Sequence, residues 1–345
     1  MSLQEKGREE SLKQPLDLRA WTFQERILSS RVISYGPRTL KWSCASKEYH
    51  LDDSLCALTY QLAEYPSCIA QMMSRFISNP GNSRENSSDT INAPDWLLFV
   101  LQYSARKHSE PEDRLVALSG VVQMLASRKQ SHYLAGLWRN NLIEELGWYR
   151  RRRGYRARPA KYRAPSWSWA SIDGQVYHHG TDGADFIPVC DVVGCDVRPT
   201  NADAPFGAVK SGWLLVHAPV MHGYYHPGDD EIGEYDSEDE SINGGTQVRV
   251  TWGDTGSHSP FKNQPNSTLL ELIFDVKQEP RSTSADFLVL SKIIDEEEDY
   301  TDIIGLVLKE VLNGTYERIG WFKDGHHTAD TCRRWDFPGK RLKII

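Results

Sequence analysis

The sequence of 345 residues contains no segment that would direct the chain into or across a membrane. Its opening, Met1–Glu10, is polar and charged and lacks the apolar centre of a secretory signal. The longest clean apolar run, Trp96–Leu101, is far shorter than the roughly 20 residues that cross a bilayer. We therefore expect a cytoplasmic protein that has no membrane partner.

Cysteine is scarce, with 6 residues in the chain, and no C-x-x-C motif occurs. Such a content excludes a disulfide scaffold and favours buried free thiols in a reducing compartment. The cysteines are Cys44, Cys56, Cys68, Cys190, Cys195 and Cys332.

The common catalytic signatures are also missing. The sequence has no phosphate-binding G-x-x-x-x-G-K-[ST], no dinucleotide-binding G-x-G-x-x-G, no zinc-binding H-E-x-x-H and no G-x-S-x-G of a serine hydrolase. Two histidine pairs occur, His178-His179 and His326-His327, but neighbours along a strand point to opposite faces. We expect these histidines in surface loops, and we expect neither a metal site nor a cofactor.

Charge is present in both signs but is unevenly placed. Lys and Arg number 40 against 47 Asp and Glu, a net charge of −7, and the excess of basic residues lies before residue 180. The sequence therefore predicts two bodies of opposite charge. The densest basic run is Arg150–Arg163, which favours either a nucleic-acid patch or a helix end that continues into a solvated loop on the acidic half. We prefer the second interpretation, since no nucleic-acid-binding fold surrounds the run.

Apolar spacing predicts helices in the first half of the chain. The segment Leu18–Leu28 places Trp21, Gln24, Glu25 and Leu28 at helical spacing, which predicts a short amphipathic helix. Strands over Arg31–Tyr35 and Thr39–Cys44 are predicted to form a hairpin. Further helices are predicted at Asp95–Lys107, after a capping box formed by Ser109 and Glu112, and at His132–Tyr149.

After Gly174 the period becomes two, which indicates an antiparallel sandwich or barrel. The acidic runs Asp229–Glu240 and Asp295–Asp299 are interpreted as solvated loops. The predicted strands are Ile187–Val197, Trp213–His217, Gln247–Trp252, Leu269–Val276, Phe287–Ile293, Ile303–Glu310, Glu317–Phe322 and Leu342–Ile345.

Two groups of residues remain open to a functional interpretation. The tryptophans Trp138, Trp148, Trp167 and Trp169 either form an aromatic ligand platform or, as we prefer, fill the junction between helices and sheet. Glu25 is either a catalytic or ribose-binding carboxylate or a partner of a nearby arginine that orients the turn. The second interpretation leads, because no nucleophile or phosphate loop accompanies Glu25.

Four segments together resemble the fungal heterokaryon incompatibility (HET) family. Pro15–Tyr35, followed by Trp42-Ser-Cys44, resembles the last block of the HET domain. Glu112–Gly120, Tyr133–Trp138 and Arg163–Gly174 are similar to segments that follow that block. The positions that carry the resemblance are Arg19, Trp21, Gln24, Glu25, Arg26, Leu28, Arg31, Trp42 and Cys44 in the block, and Asp113, Arg114, Leu134, Gly136, Leu137, Trp138, Pro165, Trp167, Trp169, Asp173 and Gly174 beyond it.

The first blocks of the HET domain, of the types Leu-Ser-Tyr-x-Trp-Gly and Trp-Ile-Asp-x-x-Cys-Ile-x-Gln, do not occur in the sequence. The resemblance implies a role in fungal non-self recognition and programmed cell death, exercised through a protein partner. Because the expected NAD-binding positions lie in the missing blocks, we expect a non-catalytic interaction or regulatory module. The alternative is a NAD-cleaving enzyme related to the TIR fold, in which Glu25 acts with a partner or with the missing segment.

The expected fold class is α+β. We expect a disordered lead-in over residues 1–14 and a remnant of the TIR-like α/β HET domain over residues 15–50. A helical region is expected over residues 51–174, and an antiparallel β-rich domain over residues 175–345.

Overall fold

The computed structural model describes residues 15–35, 40–44, 48–50, 93–127, 131–150, 157–179, 184–226, 246–253, 267–275, 283–295, 300–327, 335–336 and 338–345. The predictions for the lead-in 1–14, for the acidic run Asp229–Glu240, for residues 296–299 of the second acidic run and for Cys56, Cys68 and Cys332 lie outside these residues. The chain divides into two compact units, Met1–Ser131 and His132–Ile345. The domain boundaries predicted at residues 50 and 174 stay predictions.

The first unit begins with a 3₁₀ turn at Pro15–Leu18 and helix α1 at Ala20–Leu28. Strands β1 (Arg31–Tyr35), β2 (Leu40–Cys44) and β3 (Glu48–His50) then form a three-stranded antiparallel sheet. Arg31 lies opposite Cys44 in the β1–β2 register, so the predicted hairpin is confirmed.

Helix α1 buries a different face from the one predicted. Its buried side chains are Ala20 and Phe23, whereas Trp21 and Leu28 are 36% and 43% exposed. The Phe23 ring centroid lies 5.1 Å from that of Phe99. The reason for the difference is that the unit's aromatic core lies on the Phe23 side, and Trp21 is left to make a polar contact.

Helix α2 spans Ala93–Ser104 and buries the four residues that its spacing predicted: Trp96, Phe99, Val100 and Tyr103. Short 3₁₀ turns at Pro111–Arg114 and Val116–Leu118 lead into helix α3, Ser119–Ala126. The capping-box prediction was wrong, because the turn begins at Pro111 with Glu110 as its N-cap and has no side-chain cap hydrogen bond.

The second unit opens on a segment that is not the predicted helix over His132–Tyr149. Strands β4 (Tyr133–Leu134) and β5 (Leu137–Trp138) form a tight hairpin, followed by the short helix α4 (Leu142–Glu145) and strand β6 (Trp148–Arg150). At the hairpin turn, Ala135 and Gly136 have φ values of 46° and 109°, which a helix does not admit. The apolar positions predicted to face inward are nonetheless buried: Leu134, Leu137, Trp138, Leu142, Leu146 and Tyr149.

Strands dominate the rest of the second unit. Strand β7 pairs with β6, and β8–β17 form one ten-stranded sheet. They are β7 (Val176–His178), β8 (Asp185–Pro188), β9 (Asp191–Pro199), β10 (Val209–Ala218), β11 (Val220–His226), β12 (Thr246–Trp252), β13 (Ser267–Phe274), β14 (Thr283–Asp295), β15 (Tyr300–Leu312), β16 (Thr315–His327) and β17 (Lys340–Ile344). Every strand predicted after residue 187 has a counterpart, with β8 and β9 replacing one predicted strand and β11 added.

The sheet closes on itself, which favours the barrel form of the prediction over the sandwich. Strands β11, β12, β13, β16, β15 and β14 pair antiparallel in that order, and β14 returns to β11. Strand β16 divides one edge between two partners, since Gly320–Lys323 pair with β13 while Thr315 and Tyr316 pair with β17. Strands β17, β10 and β9 thus extend outward from the closed sheet.

Apolar side chains fill the closed sheet. The members of this core come from all six of its strands, and Trp335 lies among them. Stacking of Trp335 on Phe322, with ring centroids 5.3 Å apart, is accompanied by a hydrogen bond from its indole N–H to Asp324 Oδ2 at 2.7 Å. Within the part of the chain that the structure describes, no helix is long and apolar enough to cross a membrane.

Candidate functional site

In the first unit, two of the HET-like segments bind each other directly. The Trp21 indole N–H donates to Asp113 Oδ2 at 3.1 Å. Gln24 Oε1 accepts from the backbone N–H groups of Gly120 and Val121 at 2.7 and 3.3 Å. These two amides belong to the first turn of α3, where backbone donors have no partner within the helix. The Gln24 side chain therefore caps α3 from α1.

The other HET-like positions of this unit make backbone hydrogen bonds or pack against neighbouring residues. The Arg19 carbonyl accepts from Arg106 Nη1 at 3.3 Å, and Arg114 is buried, with its carbonyl accepting from Tyr103 Oη at 2.7 Å. A Cβ on Gly120 would lie 3.1 Å from Leu28 Cδ1. In the sheet, Trp42 pairs with Ile33 and Arg31 with Cys44.

In the second unit, the other two HET-like segments also bind each other. Ser168 Oγ donates to the Ala135 carbonyl at 2.5 Å, and the Trp169 indole N–H donates to the Gly136 carbonyl at 2.9 Å. The backbone of Gly136 passes so close to the indole that a Cβ there would lie 2.7 Å from Trp169 Nε1. Tyr133–Trp138 and Arg163–Gly174 thus form one packed substructure.

The Arg163–Gly174 segment is held by its own polar groups as well. Arg163 Nε donates to the Ala170 carbonyl at 2.6 Å, and its Nη1 contacts Asp173 Oδ1 at 2.8 Å. A Cβ on Gly212 would lie 2.6 Å from Pro165 Cγ, so the segment packs tightly on β10. Gly174 has a φ of +90°, a conformation that favours glycine.

The tryptophans that the sequence brought together are core residues, as preferred. Trp138, Trp148, Trp167 and Trp169 are each 0% exposed. The Trp148 indole N–H donates to the Trp167 carbonyl at 2.9 Å. Rings that are wholly enclosed cannot form the face of a ligand platform.

Arg318 of β16 is fully buried beneath this substructure. Its Nε donates to Asp275 Oδ2 at 3.1 Å, Nη1 donates to the Leu146 carbonyl at 2.7 Å, and Nη2 donates to the Trp148 carbonyl. The guanidinium carbon also lies 3.4 Å from the Trp148 ring centroid. Burial lowers the pKa of Arg318 to about 10, while the charge of Asp275 opposes that shift.

Asp275 is shared with a second arginine. Arg158 Nη2 lies 3.7 Å from Asp275 Oδ2 and donates to the Arg318 carbonyl, while Arg158 Nη1 donates to Ser171 Oγ at 3.0 Å. One carboxylate that is 1% exposed thus faces two guanidinium groups. The positive charge of Arg318 also contributes to lowering the pKa of His178, which lies on strand β7 beside β6.

An open pocket of about 420 Å³ lies above Arg158. One wall is the Arg158–Ser171 stretch, and the others are Ser211–Trp213 of β10, Glu317 of β16 and the end of β17 with Lys343 and Ile345. The pocket therefore joins a HET-like segment to the strands that extend from the closed sheet. Its basic lining makes it the candidate functional site.

Ser166 fastens the walls of this pocket to one another. Its backbone N–H donates to the Ile345 main-chain oxygen at 3.0 Å, and its hydroxyl donates to the same oxygen. The Ser166 Oγ also accepts a hydrogen bond from the backbone N–H of Arg318 at 2.9 Å. A single hydroxyl therefore ties the HET-like segment to both β16 and the end of β17.

The prediction for the basic run Arg150–Arg163 was right in one part and wrong in another. Arg158 does contact a carboxylate of the acidic half, Asp275. Arg150, however, is a buried residue of strand β6 and does not end a helix. Residues 151–156 lie outside the described residues.

His178 is the last residue of strand β7, so the surface-loop prediction was wrong for it, whereas His179 follows the strand and has no regular secondary structure. His178 ends strand β7 opposite Trp148, and both of its ring nitrogens are buried. His179 Nε2 lies 3.7 Å from Asp302 Oδ2, a carboxylate that Lys323 Nζ contacts at 2.6 Å. For His326 and His327 the structure gives only the backbone, which belongs to β16.

Burial lowers the pKa of His178 to about 3, from an ordinary value of 6.5, and Arg318 adds to the shift while the backbone of Glu145 opposes it. Because the unfolded chain binds a proton below pH 6.5 and the folded chain does not, we expect the stability contributed by His178 to be lost as the pH falls from 6.5 towards 3. The expected slope is about 1.4 kcal/mol per pH unit. Urea unfolding at a series of pH values measures it.

His178→Phe keeps a ring of similar size and is expected to abolish this slope. His132→Asn, a change at an exposed histidine, is the matched control and should leave the slope intact. Equal slopes for the parent and His178→Phe would show that His178 does not bind its proton differently in the two states.

The remaining site predictions have less structural support. Glu25 is exposed on α1, and Arg26 beside it is half-buried. Among the described residues, no group of three or more histidine, cysteine, aspartate or glutamate side chains is placed to hold a metal ion. Cys190 is a buried free thiol, and burial raises its pKa to about 12; Cys195 is also free.

Sequence reasoning noted Arg158 only as part of the basic run, and it did not single out the other residues that shape the pocket or lie beneath it: Ser166, Lys343, Arg318 and Asp275. One signal was available, since Arg318 is a charged residue inside the apolar alternation of the strand predicted at Glu317–Phe322. The comparisons with known proteins add no further identification, because no family model, curated protein or solved structure matches this chain.

Proposed function

We propose that this chain is a HET-family protein of fungal non-self recognition that acts as a non-catalytic interaction or regulatory module. The support comes from the four HET-like segments and from their pairing in space. In each unit, one segment binds another through side-chain to backbone hydrogen bonds, of which Gln24 to Gly120 is the clearest. The presence of all four segments in one chain has a structural reason if the segments must contact each other in the folded protein.

Hydrogen bonds of the HET-like side chains within their own unit support the assignment of a non-catalytic role. Trp21, Gln24 and Trp169 use their polar atoms to hold other parts of the same unit. A polar atom committed to a structural hydrogen bond would have to leave an amide or carbonyl unpaired in order to act on a substrate. We therefore assign these positions to the fold, and we propose that function is exercised through a protein partner in the cytoplasm.

We interpret α1 and the β1–β3 sheet as the remnant of the TIR-like α/β domain of the HET family. The alternative function is NAD cleavage with Glu25 as a site residue, for which its exposed position on α1 leaves access to a partner.

Incubating the purified chain with NAD and following nicotinamide release tests the proposal. We expect release no faster than in buffer, because Trp21, Gln24 and Trp169 already use their polar atoms in structural hydrogen bonds. Steady release proportional to the chain's concentration would overturn the non-catalytic assignment.

Any activity that a partner restores can be traced with Glu25→Gln. Glu110→Gln, a change at another exposed glutamate of the same unit, is the control. Loss of release in Glu25→Gln alone would favour the enzymatic alternative, and equal release in both variants would remove Glu25 from it.

A further inference from the structure

We propose that the open pocket above Arg158 binds a small organic phosphate whose planar ring lies against the aromatic walls. The inference rests on the charge, shape and lining of the pocket and goes beyond the proposed function. It stands or falls independently of the HET assignment, since none of the NAD measurements bears on it.

The pocket has more positive than negative groups. Among the described residues, its lining includes the basic side chains of Arg158, Lys161, Arg163 and Lys343 and one side-chain carboxylate, that of Glu317. An α-carboxylate on Ile345 would reduce this excess by one unit and leave it positive. The lining therefore favours an anion over a neutral or cationic ligand.

The basic groups differ in their availability. Arg163 is 3% exposed at its side chain and is bound to Asp173, so its charge is largely compensated. Arg158 is 28% exposed and shares Asp275 with the buried Arg318. Since one carboxylate faces two guanidinium groups, one positive charge at the base of the pocket has no counterion of its own among the residues that the structure describes. A phosphate placed there would supply it through charge-assisted hydrogen bonds.

Lysine side chains at the rim add to this attraction. Lys161 and Lys343 are both exposed, and they reach the pocket from the Arg158–Ser171 stretch and from β17. Both side chains are exposed, so each ammonium group is accessible to a phosphate in the pocket. The two lysines are thus suited to hold the anion, while Arg158 fixes where it sits.

Aromatic walls account for the ring of the ligand. Tyr162 is 54% exposed. The Lys343 ammonium nitrogen lies over the Trp213 ring, 5.4 Å from its centroid. An exposed ring beside a cation offers a stacking surface to a planar group that also bears negative charge. At about 420 Å³, the pocket lies within the range of small-molecule sites. Inorganic phosphate alone would leave these walls uncovered.

Calorimetric titration of the full chain with phenyl phosphate tests the proposal, with inorganic phosphate and phenol as separate arms. We expect phenyl phosphate to bind more tightly than either. Its affinity should fall when the salt concentration rises from about 20 to about 200 mM, because the attraction is screened. The double variant Lys161→Gln/Lys343→Gln should bind about tenfold more weakly, equivalent to about 1.4 kcal/mol.

Arg249→Gln is the matched control, because it removes an exposed cation of β12 that does not line the pocket. It should leave the affinity unchanged, and thermal unfolding of all variants should coincide because the altered side chains are exposed. Absence of phenyl phosphate binding at low salt, or an equal loss in Arg249→Gln, would overturn the proposal. Equal affinity for inorganic phosphate and phenyl phosphate would overturn the assignment of the ring.

Discussion

Arg318→Met is expected to lower the free energy of unfolding by about 3–5 kcal/mol, because it leaves Asp275 as a buried charge that has lost its main partner. The carbonyl oxygens of Leu146 and Trp148 would also lose their donor. Methionine retains much of the volume of the stem, so most of the loss is electrostatic. Urea denaturation of the parent and the variant measures the difference.

A double variant separates the charge from the packing. Arg318→Met combined with Asp275→Leu removes both ionic groups, and apolar replacement of a whole buried pair is often neutral. We expect the double variant to lose less free energy of unfolding than the sum of the losses in the two single variants, although the Leu146 and Trp148 carbonyls still lack the Arg318 donor and Arg158 loses its carboxylate. A cost below about 1 kcal/mol for Arg318→Met alone would show that water enters the site and solvates Asp275.

Gly136→Ala is expected to lower the free energy of unfolding by about 2–4 kcal/mol. Two effects combine here, a φ of +109° that L side chains avoid and a methyl group placed 2.7 Å from Trp169 Nε1. The indole is fully buried and donates to the Gly136 carbonyl, so it cannot yield without loss of that hydrogen bond. Thermal or urea unfolding measures the loss.

Gly314→Ala is the matched control for the backbone effect. Gly314 has a φ of +73° in the β15–β16 turn, and a Cβ there meets nothing within 4 Å. Its cost should be about 1 kcal/mol, which is the conformational part alone. Equal costs for the two variants would mean that the close approach of Trp169 to Gly136 contributes nothing to the stability of the hairpin.

Period-two alternation predicted most of the closed sheet, because each strand has one side facing an apolar interior. The strand at Val220–His226 was missed, since His222, Gly223 and Tyr224 break the alternation. The segment 132–149 was mistaken for a helix because its apolar residues are spaced to suit one. Gly136 and Gly147 were the contrary signals, and tertiary packing against Trp169 decided the conformation.

The pocket was beyond reach of the same reasoning. Ser166 and Arg158 both bind a distant partner, Arg318, which lies 152 positions from Ser166 and 160 positions from Arg158. Local periodicity assigns a side chain to a face but does not say which distant strand lies behind it. The HET resemblance marked the Arg163–Gly174 segment without revealing that its residues Arg163, Ser166 and Ser171 line a pocket.

The large sequence separation between Ser166 and its partners affects the order in which parts of the second unit fold. Ser166 bonds to Arg318 across 152 positions and to Ile345 across 179. Contacts between distant positions form slowly, because the intervening chain must first be ordered. On a ribosome the pocket cannot close until the residues of β17 have been synthesised, whereas the Tyr133–Trp138 hairpin and Trp169 can meet much earlier. A nascent chain therefore acquires its packed HET-like substructure before it acquires any capacity to hold a ligand.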